Sequence, residues 1–283
     1  MNKETFNLLM KVYEKDSLSN EDILYLQSLN YIDNNHNLTD KAFSDLEPYK
    51  VKRAIIMAAG FGSRMVPVTL TTPKPLVKVN GVRIIDTLLD KILKADIKEI
   101  YIIRGYLKEK FDELKSDYPF IKFIDNNLYN KENNISSAMR AIDLFDNTYF
   151  CEADFVCSGN DIIKKYQYNS NYLGTKVNST DDWCFDVDKD DVIHNYRKGG
   201  TNCIQAFGIS YWNKQDGKLL QEKLKEMYKD ESSHNDFWEM CMFHYFKEDF
   251  KLKCRYCKKE SIVEIDSFDE LCSIDKSYLN YKN

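Results

Sequence analysis

The sequence predicts an α/β protein with a mixed, mainly parallel sheet of Rossmann-like type, preceded by a small helical domain. Three observations support this prediction. Short apolar runs typical of buried strands alternate with amphipathic, helix-like segments from residue 53 onward. The first of these runs, residues 54–57, leads into a loop of small residues. Residues 1–50 carry helical patterns alone, so we expect two domains, 1–50 and 51–283.

Residues 1–50 are expected to form a three-helix module resembling a helix-turn-helix or winged-helix domain. Apolar side chains recur there at three- and four-residue steps, and the third helix is expected to carry Ala42, Phe43 and Leu46 as its apolar residues. Five lysines against nine carboxylates give the module a net charge of −4. Because DNA-binding modules rely on cations that face phosphates, this charge argues against DNA and favours packing, dimerisation or partner docking.

Strand and helix patterns alternate through the remainder of the chain. We expect strands at 99–104, 121–125 and 148–152, and helices at 84–95, 107–117 and 135–145. Strands rich in Tyr and Trp follow around 172–212, then helices near 214–228 and 236–247 and a last helix from Ser267. Open α/β sheets bind ligands beyond the carboxyl ends of their strands, so we expect the functional site there.

Composition excludes several classes of function. The chain has 283 residues, 43% hydrophobic and 30% charged, and a net charge of −5, which gives no general attraction to nucleic acid or anionic membrane. A signal peptide and an eighteen-residue apolar run are absent, so a cytoplasmic protein with reduced cysteines is expected. Cys254 and Cys257 form a lone C-x-x-C without the second ligand pair of a zinc site.

The loop after the first strand is the strongest candidate for ligand binding. Small residues let backbone N–H groups approach phosphate oxygens, and Arg64 and Lys74 follow, the latter between two stiffening prolines. Arg53 and Lys78 would add to a basic cleft. Glycine-rich dinucleotide and Walker-type phosphate motifs do not match the spacing. The pattern therefore predicts a triphosphate site, with loop residues Ala58, Ala59, Gly60, Phe61, Gly62 and Ser63.

Two aspartates are candidates for a metal site. Asp154 and Asp266 each end an apolar strand-like run, which places both at strand termini facing the expected cleft. Mg²⁺ prefers carboxylate and phosphate oxygens, so the pair predicts a magnesium site. Glu264 lies on the same strand face as Asp266 and could join them or support them.

The string AAGFGSRMVPVTLTTPKPLVKVNGVRII, residues 58–85, resembles the signature of nucleotidyltransferases that join an NTP to a phosphorylated small molecule. Shorter strings extend the likeness over residues 53–283, among them ENNISSAM (132–139), EADF (152–155) and EIDSFDEL (264–271). Within that superfamily the chain is most similar to bacterial CTP:phosphocholine cytidylyltransferases. The resemblance implies an Mg²⁺-dependent enzyme that makes CDP-choline and pyrophosphate from CTP and phosphocholine, for decoration of cell-surface polymers.

The resemblance also implies roles for individual residues. Lys74, Arg64, Asp154 and Asp266 would be catalytic, and the two aspartates would hold the metal. Asn134 and Ser137 would read the pyrimidine base, although helix capping explains their string equally well. A quaternary ammonium is recognised by aromatic faces and a nearby carboxylate, whereas large aromatics more commonly form cores. The positions that match the choline pocket are Trp183, Phe237, Trp238 and Glu239.

Other readings stay open. The acceptor could be 2-aminoethylphosphonate, phosphoethanolamine or a sugar 1-phosphate, and a primary ammonium would favour carboxylates over rings. A non-catalytic nucleotide-binding regulator is a third reading, against which the complete set of Arg64, Lys74, Asp154 and Asp266 argues. A homodimer is also open.

Overall fold

The structure is a computed structural model that describes residues 1–282 and divides into two compact units. The first unit comprises Met1–Val51 and Lys165–Tyr168. The second comprises Lys52–Lys164 and the chain from Asn169 onward. The sequence placed the boundary at residues 50 and 51 and gave no sign that residues 165–168 belong with the first unit.

The first unit is a small helical module whose helix starts follow from its capping residues. The Ser19 side chain accepts a hydrogen bond from the backbone N–H of Asp22, and the Asp22 carboxylate accepts one from the backbone N–H of Ser19. The Thr39 side chain likewise accepts a hydrogen bond from the backbone N–H of Ala42. The helices are α1 (Lys3–Glu14), α2 (Asn20–Ser28) and α3 (Asp40–Leu46).

The core of this unit gathers buried side chains from all three helices. Leu9, Leu26 and Leu46 are fully buried, and Tyr166 of the short second segment packs with them. Of the three apolar residues expected on α3, Ala42 and Leu46 are fully buried, whereas Phe43 is 44% exposed. The one-residue offset from Ala42 turns Phe43 about 100° around the helix, away from the core.

The second unit contains the expected mixed, mainly parallel sheet, and this prediction is confirmed. Among the described residues the main sheet has seven strands in the order β10-β8-β9-β6-β1-β4-β5. The pairs β1–β4, β1–β6, β4–β5 and β10–β8 are parallel, whereas β6–β9 and β8–β9 are antiparallel. The strands are β1 (Arg53–Ala58), β2 (Lys78–Val79), β3 (Val82–Arg83), β4 (Glu99–Arg104), β5 (Lys122–Asp125), β6 (Thr148–Glu152), β7 (Phe155–Cys157), β8 (Asn171–Val187), β9 (Ile193–Trp212), β10 (Lys253–Tyr256) and β11 (Ile262–Glu264).

Helices cover the sheet and fix its hydrophobic centre. β1 lies between two parallel neighbours, and its Ala54, Ile55 and Ile56 are fully buried, which explains its continuous apolar run. Burying each isoleucine contributes about 1.5–3 kcal/mol relative to leaving it exposed. The helices are α4 (Ile84–Lys94), α5 (Leu114–Asp117), α6 (Ile135–Arg140), α7 (Lys214–Met227) and α8 (Phe268–Ile274).

Two expected helices take other forms. The segment expected as a helix at 107–117 is a 3₁₀ turn followed by the short α5, because Arg104 donates to the Lys108 carbonyl (3.2 Å) and the Asp112 carboxylate (2.6 Å) and tightens it. The prediction of a helix at 236–247 is wrong. That segment contains a single wide turn, Cys241–Tyr245, since its aromatic side chains have low helix propensity and are placed by core packing.

The carboxyl ends of β1 and β6 lie side by side, because these strands pair in register. β11 pairs antiparallel with β7, which follows β6, and this brings the chain after Glu264 to the same edge. Within residues 1–282 there is no helix long and apolar enough to cross a membrane.

Candidate active site

The loop after β1 forms the floor of a cleft of about 440 Å³. Gly62 adopts a left-handed conformation (φ +63°), and a Cβ there would approach Lys74 Cβ and Thr69 Cγ2 at 3.0 Å. Thr69 Oγ1 donates a hydrogen bond to the Gly62 carbonyl at 2.9 Å, and this bond helps to fix the conformation of the loop. The glycine is therefore required by both backbone conformation and space.

The cleft gathers most of the residues that the sequence singled out from distant parts of the chain. Its lining contains the whole loop 58–64, together with Lys74, Asn134, Ser137, Asp154 and Asp266. It does not contain the four expected choline-pocket residues, which lie elsewhere in the second unit.

Arg53 and Lys78 do not contribute to this cleft as expected. Arg53 instead pairs with Glu99 at 3.0 Å, and Lys78 is exposed on β2. Both occupy strand positions away from the β1 loop, so the basic side chains at the described cleft are Arg64 and Lys74.

Lys74 is the electrostatic centre of the cleft. Its Nζ contacts Asp154 Oδ2 at 3.1 Å and Asp266 Oδ1 at 2.9 Å, and Arg64 contacts the same Asp266 oxygen at 2.9 Å. Burial alone would lower the pKa of Lys74, but the two carboxylates raise it above its ordinary value. Burial alone would raise the pKa of Asp266, but Lys74 and then Arg64 hold it below its ordinary value. Lys74 is therefore a fixed cation.

Three carboxylates in the cleft suit a divalent cation. One oxygen from each of Asp154, Glu264 and Asp266 lies within 4.8 Å of the others. Asp154 Oδ1 is buried and has no hydrogen-bond partner among the described residues. Burial and the neighbouring carboxylates of Asp154, Asp182 and Asp266 raise the pKa of Glu264 to about 11. Hard oxygen donors converging in this way fit Mg²⁺.

The opposite wall of the cleft presents amide and hydroxyl groups. Asn126 Nδ2 donates to Ser136 Oγ (2.9 Å) and Ser137 Oγ (3.1 Å), and all three residues are buried. Asn134, expected to read a base, accepts a hydrogen bond from the backbone N–H of Trp238 at 2.8 Å. In this structure its side chain ties two loops together, and its role toward a base stays a prediction.

The aromatic residues expected around choline divide into two groups. Trp183 stacks on Tyr196 (4.8 Å, 7°), and Phe237 meets the Trp183 ring edge-on at 5.7 Å and is 39% exposed. Trp238, by contrast, is 1% exposed and packs edge-on against Phe150 at 4.7 Å. Its ring lies in the core of the unit, so a direct contact of Trp238 with an acceptor stays a prediction.

Two carboxylates, the buried Glu239 and the half-buried Glu152, lie in this region of the unit. Glu239 Oε1 accepts from the Tyr172 hydroxyl at 3.2 Å, whereas its Oε2 is buried without a hydrogen-bond partner in the described residues. Burial raises the pKa of Glu239 to about 7. Glu152 lines the cleft at the end of β6, and burial, then Asp154 and Glu239, raise its pKa. In both groups the surroundings disfavour the charged form, which a bound cation would stabilise.

Sequence reasoning missed several of these residues. Glu152 lies two positions before Asp154, and strand alternation could have placed it on the same face. Asn126 follows β5 directly, so the rule for strand ends could have found it. Tyr196 and Tyr172 carried no signal, because their position depends on how the β8–β9 hairpin pairs.

Comparisons with known proteins agree with this architecture. The family described as nucleotidyl transferase matches residues 53–181. A 2-aminoethylphosphonate cytidylyltransferase of Lancefieldella rimae is 37% identical over 229 residues, covering 80% of this chain and 93% of the relative. A choline-phosphate cytidylyltransferase of Haemophilus influenzae is 28% identical over 219 residues, covering 77% and 93%. The solved CTP:phosphocholine cytidylyltransferase of Streptococcus pneumoniae has a TM-score of 0.74 and 27% identity, covering 81% and 99%.

Proposed function

Because the chain belongs to the nucleotidyl transferase family and is an enzyme of the cytidylyltransferase group, we propose that it transfers CMP from CTP to 2-aminoethylphosphonate and releases pyrophosphate. The observation that carries the choice of acceptor is the set of carboxylates at the cleft, where Glu152 joins Asp154 and Asp266 in the lining and the buried Glu239 acts on Glu152 electrostatically. A primary ammonium donates three hydrogen bonds, whereas a quaternary ammonium donates none. A carboxylate that lines the cleft is therefore better matched by a primary ammonium.

The relatives support the same choice. The 2-aminoethylphosphonate enzyme shares 37% identity with the chain, against 28% and 27% for the choline-phosphate enzymes of H. influenzae and S. pneumoniae. The sequence alone favoured phosphocholine, on the count of aromatic residues in its second half. Burial of Trp238 in the core removes one exposed ring from that argument.

Phosphocholine is the second candidate, and one observation favours it. Trp183, Tyr196 and Phe237 form a set of contacting rings, of which Phe237 is 39% exposed. Each ring that faces a quaternary ammonium adds about 0.5–2 kcal/mol of binding. Both acceptors carry a cation and a phosphorus oxyanion, so the same phosphate-binding residues serve either.

The reaction follows from the charges in the cleft. An oxyanion of the acceptor phosphonate attacks the α-phosphorus of CTP, and the bond to the bridging oxygen breaks as pyrophosphate leaves. The nucleophile is already anionic, so the cleft needs no general base. Backbone N–H groups of the loop 58–64 would hold the triphosphate, while Lys74 and Arg64 neutralise charge that develops on the phosphate oxygens.

The carboxylates fit Mg²⁺, and we propose that Asp154 and Asp266 hold it, with Glu264 as a third oxygen ligand. The ion would supply charge neutralisation to phosphate oxygens in the cleft. Lys74 bonds to both aspartates, so these residues already hold a cation between them. The use of CTP would also place the protein in the cytoplasm.

Pyrophosphate release tests this proposal. CTP, UTP, ATP and GTP are each paired with 2-aminoethylphosphonate, phosphocholine, phosphoethanolamine and glucose 1-phosphate, with Mg²⁺ present. We expect release with CTP and 2-aminoethylphosphonate, with kcat/KM at least tenfold above that for phosphocholine. A preference for phosphocholine would show that the proposed acceptor is wrong, and it would leave the assignment of the phosphate-binding residues unchanged. Nucleotide binding without release from any pair would favour the non-catalytic regulator.

A further inference from the structure

Glu152 occupies a space that one glycine creates. It is the last residue of β6, and the adjacent register pairs Cys151 with Ile209, which places Gly208 beside it on β9. A Cβ on Gly208 would lie 2.2 Å from Glu152 Oε2 and 2.4 Å from its Cδ. Any side chain at position 208 would therefore displace the carboxylate from its present position.

The Glu152 carboxylate has no hydrogen bond or ion pair within the part of the chain that the structure describes, although it is half-buried. Lys74 acts on Glu152 only through space, because its Nζ bonds to Asp154 and Asp266. Glu152 also lies outside the group of oxygens from Asp154, Glu264 and Asp266 that converge on the metal position. A half-buried charge without a partner is costly, and a bound cation would offset that cost.

The surroundings of Glu152 indicate which cation fits. It lines the same cleft as the phosphate-binding loop, and Glu239 and Asp182 are close enough to act on it electrostatically. A ligand that satisfies Glu152 must carry a positive group while its oxyanion lies near Lys74. A zwitterion with an ammonium at one end and a phosphonate at the other meets this requirement.

We propose that Glu152 is a specificity-determining residue that binds the acceptor's ammonium group, and that Gly208 is glycine so that the carboxylate can occupy this position. This inference rests on the proposed function and adds to it a residue that selects the acceptor. The primary ammonium donates to the Glu152 carboxylate. A neutral acceptor of the same shape leaves that carboxylate without a partner.

The test compares 2-aminoethylphosphonate with ethylphosphonate, which lacks the amine, at saturating CTP. The variants are Glu152→Gln, Glu152→Asp, Gly208→Ala and, as a matched control, the exposed Glu222→Gln. We expect Glu152→Gln to lower the ratio of kcat/KM between the two acceptors by about 10–100-fold, mainly through KM, the range for losing one charged hydrogen bond. Gly208→Ala should lower the same ratio, Glu152→Asp should recover part of it, and Glu222→Gln should leave it in place.

Other outcomes overturn the inference separately from the function. An unchanged ratio in Glu152→Gln, or an equal loss for both acceptors, assigns Glu152 a structural role. If the wild-type enzyme uses phosphocholine and not 2-aminoethylphosphonate, the proposed acceptor is wrong. The role of Glu152 is then decided by the ratio of kcat/KM for phosphocholine to kcat/KM for 3,3-dimethylbutyl phosphate, which has the same shape but lacks the positive charge. Absence of turnover with every acceptor overturns both proposals.

Discussion

Replacing Lys74 by methionine removes the cation that holds Asp154 and Asp266 together. The two ion pairs measure 3.1 and 2.9 Å, and the Lys74 side chain is 11% exposed. A charge pair at this distance attracts by roughly 5 kcal/mol at an effective dielectric constant of about 20, before desolvation. Breaking a buried pair by removing one partner costs about 3–5 kcal/mol. The aspartates keep 20–23% exposure, so solvent screening lowers our expected cost to about 2–3 kcal/mol.

The assay measures stability and turnover in the same preparation. A loss of about 2–3 kcal/mol corresponds to a fall in Tm of about 4–12 °C for a domain of this size. We expect turnover to fall by about 10²–10³-fold, as when one preorganised charge-stabilising group is removed. Without Lys74, the carboxylates of Asp154 and Asp266 repel one another, so Mg²⁺ alone should raise the Tm of the variant more than that of wild type.

Lys78→Met is the matched control, since Lys78 is exposed and lies outside the described cleft lining. It should leave Tm, turnover and the response to Mg²⁺ in place. Turnover of Lys74→Met within threefold of wild type would refute the assignment of this lysine to phosphate charge neutralisation. An unchanged Tm would show that the two ion pairs contribute nothing to the folded state.

Two further predictions concern the loop and the response to acid. Gly62→Ala should raise KM for CTP about tenfold and lower Tm, because the φ of +63° and the 3.0 Å approach to Lys74 leave no room for a methyl group. The control is Gly60→Ala, whose methyl group would meet nothing within 4 Å and should leave Tm unchanged. Lys108 and then Arg104 hold the pKa of Asp125 below its ordinary value of 3.8, so its contribution to stability is complete above pH 3.8 and is lost as pH falls through the lower pKa of the folded state. In denaturant titrations at pH 6 and pH 3, Asp125→Asn should lose less stability on acidification than wild type, and an equal loss in both would contradict this.

The sequence located the cleft because strand ends in a parallel sheet obey a simple rule. Asp154 and Asp266 are far apart in the chain, yet each follows an apolar run, and the structure brings both to Lys74. The central strand β1 could be predicted equally well, because a strand that is buried on both faces requires a continuous apolar run. Neither prediction needed a knowledge of side-chain contacts.

The acceptor region could not be predicted in the same way. A tryptophan in a core and a tryptophan in a binding wall have the same sequence signature, and the structure places Trp238 in the core while Trp183 stacks on Tyr196. The irregular segment after Asn235 was expected to be a helix, because its apolar spacing resembles one. The decisive features here, the Glu152 carboxylate in the cleft and the space beside Gly208, come from contacts between distant segments.

The most direct test of the central claim is a ³¹P NMR time course of CTP and 2-aminoethylphosphonate with the enzyme and Mg²⁺. The account predicts equal amounts of pyrophosphate and of a product in which the phosphonate phosphorus couples to the α-phosphorus of CMP. Formation of free CMP with an unaltered phosphonate signal would show hydrolysis and not transfer. Such a result would contradict attack by the acceptor oxyanion, and with it the function proposed for this cleft.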